Sequence, residues 1–226
     1  MAREKTKLQK NREKDYKSSK EIEKLLNLFY DKYVKYERVT ERNLQISGVD
    51  VKIKTPRNTE ILVDEKCATD YIGKNLQTYS FELRASSDRV TGIRYDGWLI
   101  DENNITTHYI LCYIEKCKVD EFPLSSDIQE MEVILVSKAD ILMYLNRHDQ
   151  TLETMILKCD SIDDGDLDMG DIKDGFKYSK SRHKIEAPIN ILIPRKALRE
   201  ISAFHTMIQY EDDRITGCDF NRIPEE

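Results

Sequence analysis

Asp50 and Asp64 stand at opposite ends of a stretch that reads as two extended segments about a turn. Gly48-Val49-Asp50-Val51-Lys52-Ile53-Lys54 and Glu60-Ile61-Leu62-Val63-Asp64-Glu65-Lys66-Cys67-Ala68 are rich in β-branched residues, and Thr55-Pro56-Arg57-Asn58-Thr59 lies between them. That pattern predicts a β-hairpin. Centred on Arg57, the hairpin sets Lys54 against Glu60, Val51 against Val63 and Asp50 against Asp64. The two carboxylates are then directly opposed, with Cβ atoms about 4.5 to 5.5 Å apart, where like charges destabilise a sheet unless something neutralises them. A divalent cation is the natural neutraliser. Strand alternation puts Lys66 on the same face as Asp64, while Val63, Glu65 and Cys67 point to the other. Two acids and one lysine at a strand end suit phosphodiester hydrolysis. Hard oxygen ligands hold Mg²⁺ (or Mn²⁺), which clamps the phosphate and lowers the pKa of a bound water, and the lysine orients that water or stabilises transition-state charge. Glycoside hydrolysis also uses paired carboxylates, but it needs a sugar cleft between them and leaves Lys66 without a task.

Gly48-Val49-Asp50 followed fourteen residues on by Asp64-Glu65-Lys66, at the end of an apolar strand and after a helix, resembles the PD-(D/E)XK nuclease superfamily. The resemblance implies a restriction-endonuclease-like core. It also implies that Asp50 and Asp64 bind metal and that Lys66 is catalytic, with Glu65 adding a ligand through its backbone oxygen. Val49 stands where the family name has proline. Gln77, Ser80 and Glu82 follow the D-x-K strand, where relatives place a further polar residue near the substrate phosphate, so Gln77 joins the candidate active-site residues. The implied activity is that of a metal-dependent (endo)deoxyribonuclease, of restriction-like or mobile-element character by family habit, with DNA as partner. A homodimer, one subunit per strand, is compatible with it. The alternative is an inactive nuclease-fold module that binds nucleic acid or protein and whose paired acids are structural.

The elements around the hairpin follow from periodicity. Ile22, Leu25, Phe29, Tyr33 and Tyr36 recur at helical intervals after Ser18 and Glu21, a capping-box spacing, and predict a helix from about Ser19 to Tyr36. Further strands are expected at Thr78 to Leu83, Gly97 to Ile100, His108 to Glu115, Met131 to Val136 and Ile189 to Ile193. Helices are expected after Ser137 and from Pro194 to about Ala203. Trp98, the single tryptophan, reads as core or sheet-edge packing rather than a base contact. The expected fold is α+β or α/β: a mixed, mostly antiparallel central sheet flanked by helices.

Composition bounds the rest. Hydrophobic residues make up 39% and charged residues 35% of the 226 positions, too apolar for disorder and too charged for a membrane protein. No run approaches the ~18 apolar residues of a span, and the charged N-terminus does not suit a signal peptide, so a cytoplasmic protein that does not engage membranes is expected. Five cysteines without a C-x-x-C read as reduced thiols, and the four histidines are scattered. Residues 1 to 17 read as a basic arm, with residues 18 to 226 forming a single nuclease-like domain. The net charge of -6 is concentrated in an acidic stretch, including a loop around residues 159 to 175. Its twelve residues from Asp160 match a calcium loop poorly, because Ile162 occupies a ligand position, and an acidic surface loop is the expected form.

Overall fold

A computed structural model describes residues 7–86, 92–120, 123–165, 169–181 and 186–220. The chain is of mixed α+β architecture, with two sheets rather than one. The larger sheet has seven strands in the order β1-β2-β3-β6-β7-β10-β11, the smaller four in the order β5-β4-β9-β8. In chain order these are β1 Lys35–Arg38, β2 Val51–Lys54, β3 Glu60–Cys67, β4 Thr78–Ser86, β5 Arg94–Asp96, β6 His108–Cys117, β7 Ile128–Ser137, β8 Lys177–Lys180, β9 Ile189–Pro194, β10 Phe204–Glu211 and β11 Arg214–Phe220. The helices are α1 Lys7–Tyr33, α2 Arg42–Ile46, α3 Lys138–Arg147, α4 Leu152–Asp163 and α5 Arg195–Ile201. Every pairing is antiparallel except β3 with β6.

Both faces of the large sheet are covered. Leu25, Leu26, Phe29 and Tyr30 of α1 pack on one face against Val51, Val63, Ile110 and Ile208. On the other face Tyr109, Leu111, Tyr113 and Val136 meet Phe81 and Leu83 of β4, Ile191 and Ile193 of β9, and apolar residues of α3, α4 and α5. Double-sided burial explains why β6 reads as a nearly continuous apolar run rather than an alternation. The crossover that makes β3 and β6 parallel carries β4 and β5, so the small sheet is delivered to the face that Asp64 and Lys66 share.

Several expectations are corrected. α1 begins at Lys7, not Ser19, so Ser18 lies inside the helix and Glu21 is no capping-box partner. Glu21 instead accepts from Ser125 N at 2.9 Å. Pairs such as Lys20–Glu23 and Glu21–Lys24, both at 2.6 Å, support the helix on its polar side, which an apolar stripe does not reveal. The basic arm is therefore helical from Lys7 on, and residues 1–6 lie outside the described residues. At its other end the helix stops at Tyr33, because the chain turns into β1 and pairs Tyr36 with Ile53. Trp98 to Ile100 form a turn, not a strand. A Cβ on Gly97 would fall 2.4 Å from the Glu82 backbone, and the Gly97 N–H donates to Leu83 O at 2.8 Å, which fixes a tight crossing there. The acidic segment is not simply a loop: Cys159 to Asp163 end α4, and Asp160 and Asp163 pair with Arg84, with Lys180 also 2.8 Å from Asp163. Residues 166–168 of that segment lie outside the described residues. Among the described residues no helix is long and apolar enough to cross a membrane.

Candidate active site

The hairpin forms in the expected register: Val51 pairs with Val63 and Lys54 with Glu60. Asn58 takes the left-handed conformation at φ 61°, tolerable for asparagine, and its N–H donates to Thr55 O at 2.9 Å to close the turn. Asp50 lies just beyond the paired residues of β2: its N–H donates to Val63 O at 2.9 Å, one position off the Val51–Val63 register, so its backbone is not set directly opposite Asp64 as expected, and the two acids meet through their side chains instead.

Gly48 governs the approach to Asp50. It has φ +86°, and a Cβ there would lie 2.4 Å from Asn104 Nδ2 and 2.9 Å from Thr106 Oγ1. Thr106 Oγ1 donates to Gly48 O at 2.7 Å, and Ile105 N to Ser47 O at 3.1 Å. The segment ahead of β6 thus clamps the turn that presents the first acid.

The two acids are brought together with the lysine. Asp50 Oδ2 accepts from Glu65 N at 2.8 Å, so the first carboxylate reaches across the end of β2 to the D-x-K segment. Asp64 is only 3% exposed. Lys66 Nζ lies 2.8 Å from Asp64 Oδ2, close enough for an ion pair but off the hydrogen-bonding direction, so that buried oxygen has no directed partner. Burial pushes the Asp64 carboxyl up to about 7, further raised by Asp50 and partly held down by Lys66. Burial also raises the phenol of Tyr109, the residue paired with Asp64 across the parallel ladder, and the Asp64 charge adds to the effect.

Glu65 points to the opposite face, as alternation requires. Its carboxylate accepts from Tyr30 Oη and from Arg38 Nη1, each at 2.5 Å. Burial raises this carboxyl and Arg38 opposes the rise. Only the backbone of Glu65 is available to the acids. Because Val63 O and Glu65 N both face the Asp50 side of β3, the Glu65 carbonyl faces that side too. Among the described residues no three His, Cys, Asp or Glu side chains gather as a metal-holding group, so the carboxylates form a pair rather than a triad.

Gln77 is not brought to the acids. Its amide donates to Asn75 O and Asn75 Oδ1 at 2.8 and 2.9 Å, within its own exposed loop. Arg195 N binds the Gln77 carbonyl at 2.8 Å and holds that loop to the start of α5.

A cleft of about 220 Å³ opens beside Lys66, lined also by Trp98, Ser80 and Asn190. The Trp98 ring packs against Tyr109 and Phe81 with centroids 4.9 and 5.3 Å away, and Lys66 Nζ sits 5.1 Å from its centroid. Packing was the expected role of Trp98; its place at the wall of the cleft was not foreseen. Asn190 was read only as part of a strand, and Gly48 only as part of the motif, without a role of its own. A polar residue between two isoleucines in β9 was the available signal for the first, and a glycine two residues before an acid for the second. No protein-family model, curated protein or solved structure matches the chain.

Proposed function

We propose that this protein is a metal-dependent nuclease that hydrolyses phosphodiester bonds of DNA, as the resemblance to PD-(D/E)XK nucleases implies. The observation that carries the reading is the convergence of the Asp50 and Asp64 carboxylates at the end of the hairpin, with Lys66 on the same face and ion-paired to the buried Asp64. That donor set fits a hard divalent cation, held by the Asp50 and Asp64 carboxylates and the Glu65 carbonyl, with water completing the shell. Mg²⁺ or Mn²⁺ bound there would supply Lewis-acid polarisation of the phosphate and a more acidic water.

The residues of the chain divide the remaining work. Asp50 positions the D-x-K backbone through the Glu65 N–H, and Tyr30 and Arg38 anchor the Glu65 side chain behind it. Lys66 is partly exposed at the mouth of the cleft. Its ammonium can leave Asp64 for a phosphate oxygen and stabilise the charge that develops there, or orient the attacking water. Burial of Asp64 keeps bulk water from its carboxylate and strengthens its charge interactions with Lys66 and Asp50.

A second reading rests on one observation: each acid already has a partner inside the protein, Asp50 in Glu65 N and Asp64 in Lys66. An inactive nuclease-fold binding module would use the same contacts structurally. Incubation with linear, circular and single-stranded DNA in Mg²⁺, Mn²⁺ or EDTA separates the two. The nuclease cuts with metal and not with EDTA, and Lys66→Ala lowers the rate by about 10²–10³-fold. Absence of metal-dependent cleavage, or cleavage unchanged in Lys66→Ala, refutes the proposal.

A further inference from the structure

The cleft beside Lys66 draws on parts of the chain that the metal-site chemistry does not require. Lys66 comes from β3, Trp98 from the turn after β5, Asn190 from β9, and Tyr71 from a 3-10 turn, Thr69–Tyr71, that follows β3. At about 220 Å³ it is smaller than the roughly 300–1,000 Å³ of a drug-sized site, which leaves room for one ring system. Its wall is aromatic, since the half-buried Trp98 is held edge-on by Tyr109, and Tyr71 stands half-exposed at the rim. Stacking on such a surface is tolerant of base identity.

Asn190 is the observation that points to a ligand. It is only 9% exposed and lies between the buried Ile189 and Ile191, near the start of an apolar strand. Among the described residues its side-chain amide reaches only Pro188 O, at 3.5 Å, at the limit of a hydrogen bond. A buried amide that lacks a good partner is costly, and it offers a donor and an acceptor side by side, the pattern that pairs with the edge of a nucleobase.

We propose that this cleft receives one unpaired nucleobase, stacked on Trp98 and met at its edge by Asn190, so that the substrate carries an unstacked nucleotide next to the scissile phosphate. The inference rests on the nuclease reading and narrows it to single-stranded or frayed DNA. Unpaired substrates avoid the cost of extracting a base from a duplex, which selects for them.

Trp98 is the only tryptophan in the chain, so intrinsic fluorescence reports on this cleft directly. The full-length protein in EDTA is titrated with a short single strand, a blunt hairpin duplex of the same length, and the single strand with its bases replaced by abasic sites. The intact single strand should quench Trp98, and the other two should leave it unchanged. Asn190→Ala, or Asn190→Ser should the alanine variant fail to fold, should weaken anisotropy-measured binding of the intact strand about five- to fiftyfold, with little effect on the abasic strand. Equal quenching by the abasic strand or the duplex, or no quenching by any strand, overturns the inference. Metal-dependent cutting with a silent Trp98 removes the base cleft and keeps the nuclease. Quenching by the single strand without cutting in any metal keeps the cleft and removes the nuclease.

Discussion

Replacing Asp64 with asparagine should stabilise the metal-free protein, and by an amount that grows with pH. The carboxyl is moved from its ordinary value of 3.8 to about 7, chiefly by burial. The native state therefore keeps its proton where the unfolded chain has lost it, and stability falls as pH rises from about 4 to about 7. At 1.36 kcal/mol per pH unit the full loss is about 4 kcal/mol, complete above about pH 7, and roughly 1.5 kcal/mol of it is already present at about pH 5. Asparagine fills nearly the same space without a charge and escapes this cost. The gap between Asp64→Asn and the wild type should thus widen by about 3 kcal/mol between about pH 5 and about pH 8, or roughly 6–12 °C in Tm for a chain of this size. Thermal melts in EDTA, followed by circular dichroism across that range, measure it. On the nuclease reading, saturating Mg²⁺ should then raise the wild type alone and narrow the gap, since the variant would lack a proposed ligand. Two melting curves that shift in parallel with pH, at a constant separation, would refute the claim that Asp64 is a desolvated carboxylate.

Three other perturbations test the supports of the site. Gly48→Ala meets Asn104 and Thr106 and forces a left-handed alanine, so it should cost about 1–3 kcal/mol and lower cleavage beyond that loss by displacing Asp50; urea melts and specific activity read the two effects. Glu65→Gln keeps the backbone of the D-x-K strand but leaves Arg38 uncompensated, so stability should fall by about 1–3 kcal/mol while activity per folded molecule stays far nearer wild type than in Asp64→Asn. Arg195→Ala takes from the buried Glu132 one of its two arginine partners, leaving Arg199, and from the half-buried Glu115 the guanidinium 2.5 Å away, and should cost about 1–3 kcal/mol on chemical denaturation; no measurable loss would show that the network is better solvated than its burial indicates.

The part of the site legible in the sequence was the part built from near neighbours. Val and Ile alternation, together with a turn holding Asn58, set the hairpin register, and from it came the side taken by Lys66 and the opposite side taken by Glu65, whereas the shift at Asp50 by one hydrogen bond was not legible. What remained hidden depends on pairings across long stretches of chain. Nothing local in His108–Cys117 says that it lies parallel to β3, and nothing near Asn190 says that it lines the same cleft as Lys66. The strands Thr78–Ser86 and Ile189–Pro194 were recognisable as strands, but the pattern of one strand does not name its neighbour, so a second sheet was not anticipated. The C-terminal hairpin of β10 and β11 was passed over, since Phe204–Glu211 mixes polar and apolar residues as an edge of a solvated sheet does. The Gln77 amide stays in its loop for a local reason: Asn75 adopts φ +46° and offers two acceptors that hold it there.

The alternation of Asp64, Glu65 and Lys66 across β3 also protects the hairpin against mispairing. Strands of alternating valine and isoleucine can slide, because an apolar residue moved to a neighbouring position still finds an apolar layer. Here a slip of one residue would drive Asp64 and Lys66 beneath α1, among Leu25, Leu26 and Phe29, and would pull Glu65 away from Arg38 and Tyr30. Stranding a buried charge in this way costs about 3–5 kcal/mol, and the slip would strand several at once. Only one alignment of β2 and β3 satisfies all three ionisable groups, and it is the alignment that brings the two aspartates to the same strand end.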